Sequence, residues 1–96
     1  GGLLITWATV PCAGFQWLAG TPQRYDSSAS CVRYFCSRCG AHVALTTDLS
    51  PETIDITIGT LDEPEAVRPA RHIWTESRLP WLHLDEQLPG EPHETL

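Results

Sequence analysis

The fold of this 96-residue chain is decided by the stretch Thr53-Ile54-Asp55-Ile56-Thr57-Ile58. Three isoleucines alternate with three polar residues, which is the period of a β-strand with one buried and one solvated face. Gly59 directly follows the stretch and ends the pattern. The alternation therefore predicts a half-buried strand over residues 53–58.

Other runs rich in β-branched and aromatic residues lie on both sides of this stretch, bounded by turn-forming residues. They predict further strands over residues 3–10, 23–27, 32–35, 42–46 and 72–76. Residues 12–20 predict a turn with a short helical piece, and the polar residues 89–96 predict a disordered tail. No helical periodicity persists beyond a turn or two, so the sequence predicts an all-β domain with short strands.

A candidate metal site lies between two of these predicted strands, in Cys36-Ser37-Arg38-Cys39-Gly40. Two cysteines separated by two residues and followed by glycine are typical of a zinc knuckle, in which both thiolates point into one tight turn. The alternative is a disulfide framework, which is less expected in a chain without a secretory signal. A structural zinc needs four ligands, so Cys36 and Cys39 form a half-site whose zinc occupancy depends on further ligands.

Three other residues are weaker candidates for this chemistry. Cys31 lies five residues before Cys36, roughly 16 Å away along an extended strand, and would need a sharp bend to join the knuckle. His42 could act as a third ligand in a C-x2-C-x2-H arrangement, but we expect it to begin the outgoing strand. Cys12 would need a base to act as a nucleophile, and we interpret it as a loop residue.

Two histidine and tryptophan pairs could together line an aromatic pocket. Their alternative interpretation is a structural one, since tryptophans at strand spacing usually belong to a core. The pairs are His72 with Trp74, and His83 with Trp81.

The composition narrows the range of partners. Twelve acidic and six basic residues give a net charge of −6, and this acidic balance argues against a nucleic-acid partner. No apolar run is long enough for a membrane span, and no signal peptide is present, so we expect a soluble, cytoplasmic protein.

Several spaced motifs, taken together and in this order, resemble the glutathione-dependent formaldehyde-activating enzyme family, also called the centromere protein V-like family. The resemblance runs over nearly the whole chain, roughly residues 3–89. It is carried by Val10-Pro11, Phe15-Gln16-Trp17, Arg24-Tyr25, the segment from Tyr34 to Gly40, the segment from Asp55 to Asp62, His72-Ile73-Trp74 and the segment from Arg78 to Leu82.

The resemblance implies a zinc-binding β-tent fold and a carbon-sulfur lyase that forms S-hydroxymethylglutathione from glutathione and formaldehyde. Family members are described with a structural zinc held by a Cys-x-Cys pair and a later CxxC, and a catalytic zinc held by a Cys-x-Cys-x-x-Cys cluster. Only the CxxC is present here, at Cys36 and Cys39. We therefore interpret residues 1–88 as the C-terminal portion of such a domain, truncated at its N-terminus, and residues 89–96 as a polar tail.

This departure leaves two functional hypotheses open. The chain is either a family member with little or no activity in this form, without catalytic residues of its own, or a non-catalytic β-domain that binds or oligomerises. The apolar run over residues 3–10 predicts an exposed sheet edge and a homodimer formed through it. A symmetric dimer could also join two knuckles into one four-thiolate zinc site, the alternative being an empty knuckle.

Overall fold

A computed structural model describes residues 4–18 and 20–94 of the chain. Its centre is one five-stranded antiparallel sheet in the order β1-β5-β4-β3-β2. The all-β class predicted from the sequence is confirmed. The strands are β1 (Trp7–Pro11), β2 (Gln23–Asp26), β3 (Cys31–Phe35), β4 (His42–Thr47) and β5 (Thr53–Thr57), and short 3-10 turns lie at Cys12–Gly14, Ile58–Thr60, Pro64–Ala66 and Thr75–Ser77.

The strand that was predicted most clearly occupies the middle of the buried region. Ile54 is 4% exposed, and Ala44, on the neighbouring β4, is fully buried. Ile58 is also buried, but it lies in the 3-10 turn that follows β5. The buried core is therefore narrow, and most of the sheet is covered by loops instead of a second sheet.

The edge strand β1 contains a proline, which its hydrogen-bonding pattern explains. The amide of Cys12 donates to Glu52 O at 2.9 Å, and the amide of Ile58 donates to Thr6 O at 3.0 Å. The backbone groups of even-numbered residues of this strand therefore form hydrogen bonds with β5, and those of odd-numbered residues point to the free edge. Pro11 is on the odd side, where its missing N–H costs no hydrogen bond within the sheet.

A β-bulge interrupts the pairing of β3 with β4 close to the knuckle. Tyr34 pairs with Ala44 while Phe35 pairs with His42, so Val43 is the extra residue. The buried hydroxyl of Thr57, on β5, lies 3.0 Å from His42 O and 3.3 Å from Val43 O. One hydroxyl on the adjacent strand therefore donates to both carbonyls at the bulge.

The two faces of the sheet are covered by different parts of the chain. On one face the rings of Phe15 and Trp17 meet at 4.9 Å, and Trp17 packs against Tyr34 at 5.7 Å. This is the loop predicted over residues 12–20. The other face is covered by residues 69–78, here called the roof, which run across β1, β5, β4 and β3.

Three expectations about the ends of the chain need correction. The first strand begins at Trp7, so residues 4–6 precede it, and Leu3 lies outside the described residues. The strand predicted over residues 72–76 is absent: only His72 forms a bridge, with Gly90, and a 3-10 turn begins at Thr75. The cause is Trp74, whose φ of +55° is left-handed and incompatible with a strand.

The tail was expected to be disordered, but its described part, residues 89–94, is attached to the roof. His72 N–H donates to Pro89 O and Glu91 N–H donates to His72 O, both at 2.8 Å. Thr75 N–H donates to Glu91 O at 3.0 Å. These bonds give polar residues a fixed position that their composition does not predict, and we call residues 89–94 the strap.

Candidate metal centre and cavity

The knuckle, residues 36–40, is the tight turn that joins β3 to β4. The amide of Cys36 donates to Ala41 O and the amide of Gly40 donates to Cys36 O, each at 2.8 Å. Gly40 has φ of +79°, a left-handed conformation that glycine adopts without a steric penalty. The turn thus forms from the residues that its sequence pattern predicted.

Backbone amides of the knuckle favour the ionised form of its first thiol. The pKa of Cys36 is lowered by hydrogen bonds that its thiol accepts from backbone amides. The largest contribution comes from the amide of Cys39 and the next from that of Arg38. The Arg38 amide lies 3.4 Å from Cys36 Sγ. Because metals bind the thiolate form, this environment suits a zinc ligand.

The structure does not bring a third ligand to this turn. Within residues 4–18 and 20–94 there is no cluster of three or more histidine, cysteine, aspartate or glutamate side chains that could hold a metal. Cys36 and Cys39 are free thiols, as are the other two cysteines. The residues present therefore fit half of a tetrahedral zinc site, and two more ligands would have to come from elsewhere.

The alternative ligands lie apart from the knuckle for identifiable reasons. Cys31 begins β3, at the opposite end of that strand, and its thiol is 3.8 Å from the hydroxyl of Ser30. A hydrogen bond with Thr47 is the main cause that lowers the pKa of Cys31. Cys12 is exposed, and its thiol donates a long hydrogen bond, 3.9 Å, to the Pro51 carbonyl.

His42 begins β4, as expected, and its imidazole is packed away from the thiols. Its ring meets Trp7 edge-on at 5.0 Å, and burial, followed by the charge of Arg33, lowers its pKa. Its Nε2 is buried without a hydrogen-bond partner in the described part of the chain. This contact places the start of β1 and the knuckle at the same end of the sheet.

Trp7 also lines a cavity of about 550 Å³ between the sheet and the roof. The floor of the cavity is a row of residues in register across four strands: Thr9, Asp55, Leu45 and Arg33. Thr9 donates a hydrogen bond of 2.6 Å to Asp55. The polar side of the alternation that predicted β5 therefore faces this cavity.

The cavity concentrates the positive charge of an acidic protein. Arg33 on the floor and Arg71 and Arg78 of the roof line it, and these are three of the six basic residues in the chain. Neither Arg33 nor Arg78 forms an ion pair with any described residue. Unpaired guanidinium groups in a partly enclosed site favour an anionic ligand, because carboxylates accept paired hydrogen bonds from them.

The family model for the glutathione-dependent formaldehyde-activating enzyme matches residues 1–77. The chain belongs to this family. No curated protein is significantly similar to it. The matched residues include all five strands, the knuckle and most of the roof, whereas the strap lies beyond the match.

The aromatic pocket expected from the sequence is partly present in this domain. His72 and Trp74 belong to the roof and line the cavity. Trp81 and His83 do not line this cavity, and because both are exposed, Trp81 by 62%, the core interpretation is wrong for this pair. They follow the last roof residue in a segment without regular structure.

Sequence reasoning missed the charged residues that line the cavity. The sequence did contain a signal for Asp55 and Arg33, because each lies on the opposite face of its strand from the apolar residues next to it. No local pattern indicated Arg71, Arg78 or Glu94, which reach the cavity from irregular segments. Finally, none of the described residues belongs to a helix long and apolar enough to cross a membrane.

Proposed function

We propose that this chain carries the ligand cavity and half of the structural zinc site of a domain that acts on adducts of glutathione and formaldehyde. The observation that carries the proposal is the family match over residues 1–77. In this reaction the thiol sulfur bonds to the formaldehyde carbon, the carbonyl becomes a hydroxyl, and the thiol proton passes to its oxygen. The reverse reaction breaks the same carbon-sulfur bond.

The cavity supports this ligand class through its size and charge. A volume of about 550 Å³ lies within the usual range for small-molecule sites. Arg33 and Arg78 could each bind a carboxylate, and glutathione has two. Asp55, fixed by its hydrogen bond from Thr9, could accept a bond from the ammonium group of the same ligand.

We propose further that the chain in this form does not catalyse the reaction. A zinc that polarises formaldehyde or lowers the pKa of a thiol needs several protein ligands and one open coordination position. The knuckle supplies two thiols, and the catalytic cysteine cluster of the family does not occur in the sequence. Cys36 and Cys39 would instead hold zinc together with two ligands from another polypeptide segment.

Two measurements test the proposal. Exchange spectroscopy by NMR with glutathione and formaldehyde should give the spontaneous rate in the presence of the chain, and a zinc-dependent acceleration abolished by a chelator would contradict the expected inactivity. Titration with S-methylglutathione, a non-reacting thioether, should shift the indole signals of Trp7 and Trp74. Trp17 and Trp81 lie outside the cavity lining and serve as internal controls. Equal shifts of all four would refute the cavity as the site.

We propose a homodimerisation module as the second candidate function, because the chain exposes more surface than a compact monomer. Its accessible area is 7476 Å², whereas a compact protein of this mass exposes about 5,500 Å². The radius of gyration is 14.0 Å, against about 12.5 Å for a compact domain of this length. The excess area is more than the ~800 Å² per subunit that a standard interface covers.

The free edge of β1 is the surface that suits a second copy. Trp7 and Thr9 direct their backbone groups outward, and Leu4 and Ile5 beside them are 54% and 44% exposed. Pairing of two such edges would bury apolar side chains and satisfy backbone groups together. Sedimentation at micromolar concentration should show a dimer, and Thr9→Pro, which removes an outward N–H, should weaken it. A monomer under all conditions would exclude this candidate.

A further inference from the structure

The strap, residues 89–94, is fixed to the roof by a hydrogen-bonded ladder outside the family match. In addition to the backbone bonds at His72 and Thr75, the Trp74 amide donates to His93 O at 3.3 Å. The Thr75 hydroxyl donates to Glu91 O at 3.1 Å. Five hydrogen bonds between two short segments without a sheet around them, four of them between backbone groups, can open locally without unfolding the domain.

The strap approaches the roof so closely that a side chain at one position would crowd it. A Cβ on Gly90 would lie 3.2 Å from Cγ2 of Thr75. Thr75 cannot easily yield, because it is β-branched and its hydroxyl is held by Glu91 O. A larger residue at position 90 would therefore move the strap away from the roof.

The closed strap also holds the roof in a strained conformation. Trp74 has φ of +55°, which is costly for a bulky side chain. Its ring contacts the ring of His93 in a tilted arrangement, with ring centroids 5.1 Å apart, and its amide donates a hydrogen bond to the His93 carbonyl. Opening the strap would remove both contacts and let Trp74, which lines the cavity, adopt an ordinary conformation.

The end of the strap carries a carboxylate into the cavity. Glu94 lines the cavity with its side chain 21% exposed, and Arg71 of the roof lies 3.9 Å from it. Arg71 also pairs with Glu91 of the strap. The charged groups around Glu94 are thus Asp55 on β5, Arg71 on the roof and Glu91 on the strap.

We infer that the strap is a charge-sensitive clamp on the roof, which closes the cavity when Glu94 is neutral and opens for ligand when Glu94 is ionised. It deepens the proposed function, on which it rests for the identity of the ligand. The ionised carboxylate loses hydration in the cavity and faces Asp55 and Glu91. Of the three arginines that line the cavity, only Arg71 acts on Glu94, and because Arg71 is shared with Glu91 it offsets this cost only in part.

The direction of the pH dependence follows from the same groups. Burial first, and then the charge of Asp55, raise the pKa of Glu94. Because the pKa of Glu94 is higher in the closed state than in the open state, protonated Glu94 favours closure. This contribution to closure is complete at pH values below the pKa of the open state. This contribution is lost as the pH rises through the interval between the two values. The clamp therefore tightens on acidification from above this interval.

Hydrogen exchange of the full chain tests the clamp directly. At constant neutral pH, Glu94→Gln should raise the protection of the Trp74 and Thr75 amides about fivefold, the effect of roughly 1 kcal/mol. Gly90→Val should lower it by a similar factor or more. Glu65→Gln removes the same charge from an exposed turn and should leave both amides unchanged.

Binding of S-methylglutathione to the same variants separates this inference from the proposed function. Affinity should rise in Gly90→Val and fall in Glu94→Gln. Equal affinity in all variants would overturn the clamp and leave the proposed function intact. No binding to any variant, with protection in the expected order, would refute the proposed ligand and support the clamp. Unchanged protection in both variants would overturn the clamp whatever the ligand.

Discussion

Alanine substitution of Gly40 measures how much the knuckle depends on its left-handed residue. The φ of Gly40 is +79°, and a Cβ built there meets nothing within 4 Å. Gly40→Ala therefore adds backbone strain without a steric clash, and this strain costs about 1–2 kcal/mol. The alanine also restricts the unfolded chain, which stabilises the fold by roughly 0.4–1 kcal/mol.

Gly59→Ala is the matched control for this substitution. Gly59 lies in the 3-10 turn Ile58–Thr60, its φ is not left-handed, and a Cβ there also meets nothing within 4 Å. The effect on the unfolded chain is the same in both variants, so it cancels when they are compared. Gly40→Ala should be less stable than Gly59→Ala by about 1–2 kcal/mol, or ~4–16 °C in Tm at this chain length.

Thermal and urea unfolding followed by circular dichroism would measure this difference. Gly59→Ala should equal or exceed the wild type in stability, and Gly40→Ala should fall below it. Equal stability of the two variants would refute the reasoning, because it would mean that the knuckle adopts another backbone conformation in solution. Cys36 and Cys39 would then lose the geometry that makes them a half-site.

The remaining predictions concern Thr57 and Cys31. Thr57→Val removes the hydroxyl that donates to the bulge carbonyls of His42 and Val43, and should cost about 1–3 kcal/mol in urea unfolding. Thr46→Val is the control, because the Thr46 hydroxyl makes no hydrogen bond to any described residue, and equal losses would contradict the role of Thr57. Cys31 should be alkylated by iodoacetamide with a pH midpoint below that of an ordinary thiol, since its pKa is lowered. Thr47→Val, followed by peptide mass spectrometry, should raise that midpoint, and an unchanged midpoint would count against the Thr47 hydrogen bond.

The sheet could be predicted from the sequence because each strand carries its own signal. The alternation over residues 53–58 predicted the bounds of β5 to within one residue. The knuckle is flanked by strands, as expected. These patterns are local: they depend on which side chains face water along one strand. The strand expected over residues 72–76 failed because Trp74 is held by partners in the strap, which are distant in sequence.

The candidate site was predictable only in part, for the same physical reason. Cys36 and Cys39 lie in one turn, so their spacing identifies them. The cavity instead combines a floor from four strands with the roof and with Glu94, and only the register of the sheet brings Arg33 and Asp55 to one face. The bulge at Val43 shifts that register and has no signal in the sequence.

The geometry of the sheet also separates two ways in which a second copy could bind. Two β1 edges related by a two-fold axis run antiparallel, so the start of one strand meets the end of the other. The knuckle lies at the end of the sheet where β1 begins, so the two knuckles would be at least one strand length apart, roughly 17 Å for five residues.

A shared four-thiolate zinc site requires the opposite arrangement. Zinc–sulfur bonds of about 2.3 Å place the four sulfurs within ~4 Å of one another. A zinc-bridged dimer should therefore carry half a zinc per chain, lose metal and dimer together in Cys39→Ser, and tolerate Thr9→Pro. A dimer through β1 should respond to Thr9→Pro and tolerate Cys39→Ser. A dimer that both substitutions dissolve would contradict this separation, because the same contact would then have to bring the two knuckles and the two β1 edges together.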